Sequence, residues 1–231
     1  MTKSRDTANI IKQPFTQTLG TSNYRAGVNA GNSITSGGNY NVTVGDEAGT
    51  ALTTGDQNVF IGYQAGDATT TAGFNIGIGY NALGTNILGG RSVAIGNAAL
   101  EAQNYSTATD AYNVAIGHGT GEAVTTGIGN TLIGGKTGDA LTDADFNVAV
   151  GYLALSADTL GSNSVAVGMN ALQGQNFTSA TNVYNTAVGH GAGAEVTTGV
   201  QNTLIGALAG DALTDADLNV AVGYQALSAD T

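Results

Sequence analysis

Along residues 41–223 one five-residue pattern returns again and again: a polar residue, an apolar one, a variable one, another apolar one, then glycine. The unit is Asn or Ser, then Val, Ile or Thr, then the variable position, then Val or Ile, then Gly, and it begins at 41, 58, 75, 92, 113, 130, 147, 164, 185, 202 and 219. Successive starts are spaced 17, 17, 17 and then 21 apart, after which the whole pattern begins again, so that 41 corresponds to 113 and 113 to 185. Residues 41–112 and 113–184 are complete super-repeats and 185–231 opens a third; 35 of its 47 positions are identical to 113–159. Self-similarity at a fixed short period is the signature of a solenoid, and alternation over a few residues closed by glycine predicts one short strand per coil. The expected architecture is therefore all-β: a parallel β-solenoid or β-roll with about 17 residues per coil. Residues 23–40 align weakly with the coil that follows and are expected to form an atypical capping coil. That leaves 1–22 outside the repeat and 41–231 as the shaft. The next unit falls due beyond Thr231, so the array is expected to continue.

Successive strand residues face opposite ways, so positions two and four of the unit share one side and position three takes the other. Position four is Val44, Ile61, Ile78, Ile95, Ile116, Ile133, Val150, Val167, Val188, Ile205 and Val222. This uniform aliphatic row, together with the β-branched row at position two, is the expected coil core. Position three carries Phe60, Leu132, Leu204 and a run of alanines that includes Ala115, Ala149 and Ala187. A strand that is apolar on both faces is normally covered on both, and a thin coil has no second layer of its own. These six residues are therefore the expected contact with a partner chain. Asn at position one, replaced by Ser92 and Ser164 in two coils, is expected to stack into a side-chain hydrogen-bond ladder. The invariant glycine at position five is expected where the chain turns at positive φ or passes too close to a neighbour for a Cβ.

Composition narrows the functions open to such a chain. Seventeen acidic residues against six basic ones give a formal charge of −11, the wrong sign for a phosphate backbone, so no nucleic-acid partner is expected. With no cysteine there is neither a disulfide framework nor a thiolate site. No apolar run approaches the roughly 20 residues of a membrane span, and the start lacks the apolar core of a secretion signal, so neither membrane insertion nor export is expected. Residues 1–25 run against the acidic trend, with Lys3, Arg5, Lys12 and Arg25 facing only Asp6.

The units NVAVG at 147–151, SVAVG at 164–168 and SVAIG at 92–96, each followed two residues later by Ala, resemble the head repeats of trimeric autotransporter adhesins. That resemblance implies a left-handed parallel β-roll in a side-by-side or intertwined homotrimer, although coils in that family are typically shorter. The longer phrases, such as residues 202–231 and the start MTKSRDTA at 1–8, resemble tail-fibre proteins of marine cyanophages. This second resemblance implies a virion appendage assembled in the host cytoplasm, joined by its N-terminus to a tail or portal-proximal protein and holding a receptor-binding tip beyond this chain. Within residues 1–22, Lys3, Arg5 and Lys12 are the expected charged contacts of that joint, and Ile10, Ile11 and Phe15 its apolar anchors. A bacterial surface adhesin head is the alternative, favoured by a secretion signal upstream or a membrane barrel downstream. An ice-binding solenoid is more remote, because it needs a flat array of Thr on every coil.

Candidate chemistry is sparse. His118 and His190 occupy equivalent positions of successive super-repeats, each between glycines, and a three-fold axis would gather three copies; they are the weak metal candidates. Asp143 with Asp145, and Asp215 with Asp217, place carboxylates two apart in turns without the glycine-rich spacing of calcium β-rolls. No nucleophile, base and orienting group can be assembled from duplicated positions, so neither catalysis nor a cofactor is expected. The tripeptides at 104–106 and 176–178 are formal glycosylation sequons in the two longer coils, where the extra residues should bulge sideways.

Overall fold

The computed structural model describes residues 20–228 and is all-β. Twelve three-residue strands, from Tyr24–Ala26 and Val42–Val44 to Thr203–Ile205 and Val220–Val222, stack in sequence order into one parallel sheet. Register follows the repeat: Val42, Thr43 and Val44 pair with Val59, Phe60 and Ile61, and the same three positions pair in every later coil. Residues 23–40 add a further coil in the same register, with Tyr24 opposite Val42. Each of the two longer coils, 92–112 and 164–184, pairs a second short strand with the coil before it, Thr109–Asp110 with Gly89–Gly90 and Thr181–Asn182 with Gly161–Ser162. At about 4.8 Å per parallel strand, twelve coils make a rod roughly 55 Å long.

The two faces of the sheet are exchanged relative to the sequence expectation. Position three points inward: Phe60, Leu132, Leu204, Ala115, Ala149 and Ala187 are fully buried within their own coil, so they are core rather than contacts with a partner chain. Position four points outward. Val44, Ile78, Ile95, Val150 and Val167 are half-buried, while Ile61, Ile116, Ile133, Val188, Ile205 and Val222 are exposed. The reason is volume. So short a coil encloses a lumen one side chain wide, already shared by positions eight, nine and twelve, such as Ala48, Gly49 and Leu52. Two β-branched residues per layer would overfill it, whereas a single inward residue that is usually Ala fits.

The same constraint explains why position nine runs Gly, Gly, Leu, Leu. A Cβ on Gly121 would lie 2.9 Å from Leu132 Cδ1, and one on Gly138 would lie 3.0 Å from Leu132 Cδ2. Leu132 therefore fills the lumen that the two glycines leave open. In the next two coils position three shrinks to Ala149 and Ala166 and position nine supplies Leu155 and Leu172, both fully buried. Coils with neither, such as that of Ala115 and Gly121, are filled from both neighbours: Leu132 and Leu100 reach Gly121 from the adjacent coils. The position-five glycine answers to both expected causes: φ lies between +123 and +141 from Gly45 to Gly96, and a Cβ on Gly151 would lie 2.5 Å from the carbonyl oxygen of Gly168 in the next coil.

Candidate functional site: the outer face of the sheet

Positions two and four together present an outward strip of Val, Ile and Thr over the eleven coils from Val42 on, without a charged residue. On the breadth of a three-residue strand, the strip measures roughly 55 Å by 10 Å. Its area of roughly 550 Å² is at the upper end of the largest apolar patches on soluble monomers, about 300–600 Å², which are often functional. Aromatic side chains flank it. Tyr63, Tyr80 and Tyr152 at position six and Tyr40, Phe74, Tyr112, Phe146 and Tyr184 just before the strands are about half exposed. Tyr63 and Tyr80 stack with centroids 5.7 Å apart.

Beneath the strip a polar seam locks the register. The backbone N–H of Asn58 donates to Asn41 Oδ1 at 2.9 Å, Asn75 to Asn58 at 3.0 Å, and Asn147 to Asn130 at 2.9 Å. From Asn41 to Asn202 the Nδ2 closes its own coil, as Asn58 does on the carbonyl of Ala72 at 3.0 Å. The ladder expected from the sequence is present and buried. Where serine interrupts it, glutamine repairs it. Asn113 Nδ2 donates to Gln103 Oε1 at 3.0 Å and Gln103 Nε2 to Ser92 Oγ at 3.2 Å. Gln175 bridges Asn185 and Ser164 in the same way, at 2.9 and 3.1 Å. The joint presence of Ser at position one and Gln in the same coil is the sequence signal of this repair.

Gln175 also reaches a buried carboxylate. Its Nε2 donates to Asp158 Oδ2 at 2.6 Å, and the N–H groups of Gly161 and Phe177 donate to Oδ1 at 3.1 and 3.0 Å. Burial pushes the Asp158 pKa above the ordinary carboxylate value, against the lowering effect of these donors. One super-repeat upstream the same place holds Asn86, whose side chain exchanges two bonds with Gly89. Since the native state binds the Asp158 proton more tightly than the unfolded chain, this group lowers stability as pH rises from its unfolded pKa through the folded one. Asp158→Asn is therefore expected to raise Tm by on the order of a few degrees at pH 7, with the gain vanishing near pH 3, in thermal melts at the two pH values. Asp67, Asp139 and Asp211, at equivalent positions of the three super-repeats, each keep one buried oxygen without a partner. Burial raises the pKa of Asp67 and Asp139, and Glu47 and Glu122 respectively add to the shift.

The other candidates are dispersed. His118 and His190 are exposed at position six, where their carbonyls accept from Lys136 and Leu208 of the next coil at 2.9 Å. Among the described residues no three His, Asp or Glu side chains converge as a metal site. Asp143 Oδ1 accepts from the hydroxyls of Thr125 and Thr126 at 2.7 and 2.6 Å, which holds its pKa low, and Asp145 caps the N–H of Ile128. These turn carboxylates tie coil to coil. In the longer coils Asn104 and Asn176 are exposed while the next residues, Tyr105 and Phe177, are buried anchors; Tyr105 donates to the carbonyl of Gly127 at 2.7 Å. The expected attachment residues Lys3, Arg5, Ile10, Ile11, Lys12 and Phe15 lie outside the described residues. Among the described residues no helix is long and apolar enough to cross a membrane. A scan of protein-family models, a search of curated proteins and a search of solved structures each gave no match to this chain.

Proposed function

We propose that this chain is the shaft of a homotrimeric fibre, a structural virion appendage of the tail-fibre kind. In this reading residues 1–22 join it to a tail protein, and a tip outside this chain meets the host receptor. The observation that carries the proposal is the outer strip: a charge-free, β-branched surface repeated in the eleven coils from Val42 on. Such a surface is matched along its whole length only by a partner with the same period, and another copy of the chain has that period. Further cover over these half-buried Val and Ile side chains would contribute on the order of 1 kcal/mol each, enough in sum to offset the cost of association. The three-fold number and the virion setting rest on the sequence resemblances. A repeat array suits a spacer because its length changes by whole coils without altering any interface. The ice-binding alternative finds little support, since the strip is aliphatic and Thr stands at position two only in Thr131, Thr186 and Thr203.

Native mass by light scattering tests the proposal. The expected value is three times the 22.9 kDa of the single chain. A stable species at the single-chain mass, at micromolar concentration, would remove the lateral interface and with it the fibre.

A further inference from the structure

A repeat explains whatever it repeats, so a function particular to one place should lie where equivalent positions differ. One such departure is in the first super-repeat, around a groove of about 370 Å³ that includes Thr71, Phe74, Leu88, Arg91, Thr109 and Asp110. Arg91 Nε donates to Asp110 Oδ2 at 3.0 Å, the only ion pair among the described residues. The guanidinium lies over the Phe74 ring at 4.5 Å and near the Tyr112 ring at 6.0 Å. It is held as a flat plate between two aromatic residues, with its direction fixed by the carboxylate.

In the second super-repeat the equivalent polar groups satisfy one another. Asn163 Nδ2 donates to Asn182 Oδ1 at 2.9 Å in place of Arg91 and Asp110. Asp143, in place of Thr71, is taken up by Thr125 and Thr126, and Asp145, in place of Gly73, by the N–H of Ile128. In the first super-repeat the two Nη groups of Arg91, Asp110 Oδ1 and the Thr71 hydroxyl make no such bond, and all line one groove beside exposed aromatic rings. Thr109 donates to the carbonyl of Thr107 at 3.0 Å and keeps its acceptor capacity.

We propose that this groove binds a neutral pyranose unit of a glycan. The groove is half open to solvent and has room for a single sugar ring. Fixed planar donors beside a carboxylate acceptor match adjacent sugar hydroxyls, and the half-exposed rings of Phe74 and Tyr112 offer apolar surface to the C–H face of the sugar. Neutrality follows from charge: Arg91 is already matched by Asp110, and the chain carries −11, so an anionic sugar meets an opposing field. The site goes beyond the shaft reading and does not depend on it.

The repeat itself supplies the control. Arg91→Asn with Asp110→Asn installs the pair that the second super-repeat already folds with, so the double variant should melt within about 2 °C of the parent. Saturation-transfer NMR and calorimetric titration of the full chain with methyl α-glucoside, α-mannoside, α-galactoside and methyl glucuronide provide the test. At least one neutral glycoside should saturate with a dissociation constant on the order of millimolar, and the double variant should lose tenfold or more. The proposal is overturned if no neutral glycoside binds, if the glucuronide binds best, or if the double variant binds as well as the parent. A lower melting temperature in the double variant without sugar binding to the parent would make the cluster a structural staple only.

Discussion

Gly151→Ala is expected to destabilise the rod by about 3–5 kcal/mol and to divide it into two parts that exchange independently. Two costs act together. Gly151 has φ of +134, which an L side chain rarely adopts, and the new methyl would lie 2.5 Å from the oxygen and 2.6 Å from the carbon of the Gly168 carbonyl. These are backbone atoms pinned by the ladder on both sides, so neither can yield as the end of a side chain would. A solenoid is held by nearest-neighbour contacts, and a fault at one interface uncouples the coils above from those below. Gly135 is the control. A methyl there would meet only Tyr152 ring atoms at 3.5 and 3.9 Å, an ordinary contact, so Gly135→Ala should stay within about 0.5 kcal/mol of the parent. Urea unfolding with amide exchange reads both; a Gly151→Ala rod as stable as the Gly135→Ala rod would show that the coil spacing relaxes freely.

That position-five glycine was legible in the sequence together with its cause, because invariance across every coil leaves only backbone reasons for it. The period, the parallel register and the asparagine ladder were legible for the same reason: each is a consequence of stacking identical units. What the repeat could not reveal was which side of a three-residue strand faces in. Alternation states that Leu132 and Ile133 point opposite ways and is silent on the direction. Uniform aliphatics at position four looked like a core because cores are usually uniform and apolar. Here uniformity marks the outer strip, where one surface is presented many times, and variability marks the lumen, where Phe60, Gly77 and Leu83 trade volume layer by layer. The compensation between positions three and nine, and between Ser92 and Gln103, was the available signal. It becomes visible only when positions are compared across coils for complementary size rather than for similarity.

The adjacent pair Leu132 and Ile133 separates folding from assembly. Leu132 is 0% exposed and fills its layer between Gly121 and Gly138. Aspartate there would put a charge into an apolar lumen without a donor, and the coil should unfold around it, with loss of the β-type circular dichroism. Ile133 is 37% exposed and directed outward. Ile133→Asp leaves the lumen and the ladder untouched, so the solenoid spectrum should persist. In the proposed trimer, however, it sets three carboxylates against the apolar strip of neighbouring chains and repels each from the others. The expected outcome is a folded species near the 22.9 kDa chain mass in place of the threefold assembly. At neutral pH the shift should be complete at micromolar concentration, because one unpaired charge taken out of water costs several kcal/mol in each chain. Light scattering on the two variants side by side decides the matter: an Ile133→Asp chain that still has the mass of a trimer would take the strip out of the interface, and the lateral contact would have to lie on the flanking aromatic rows instead.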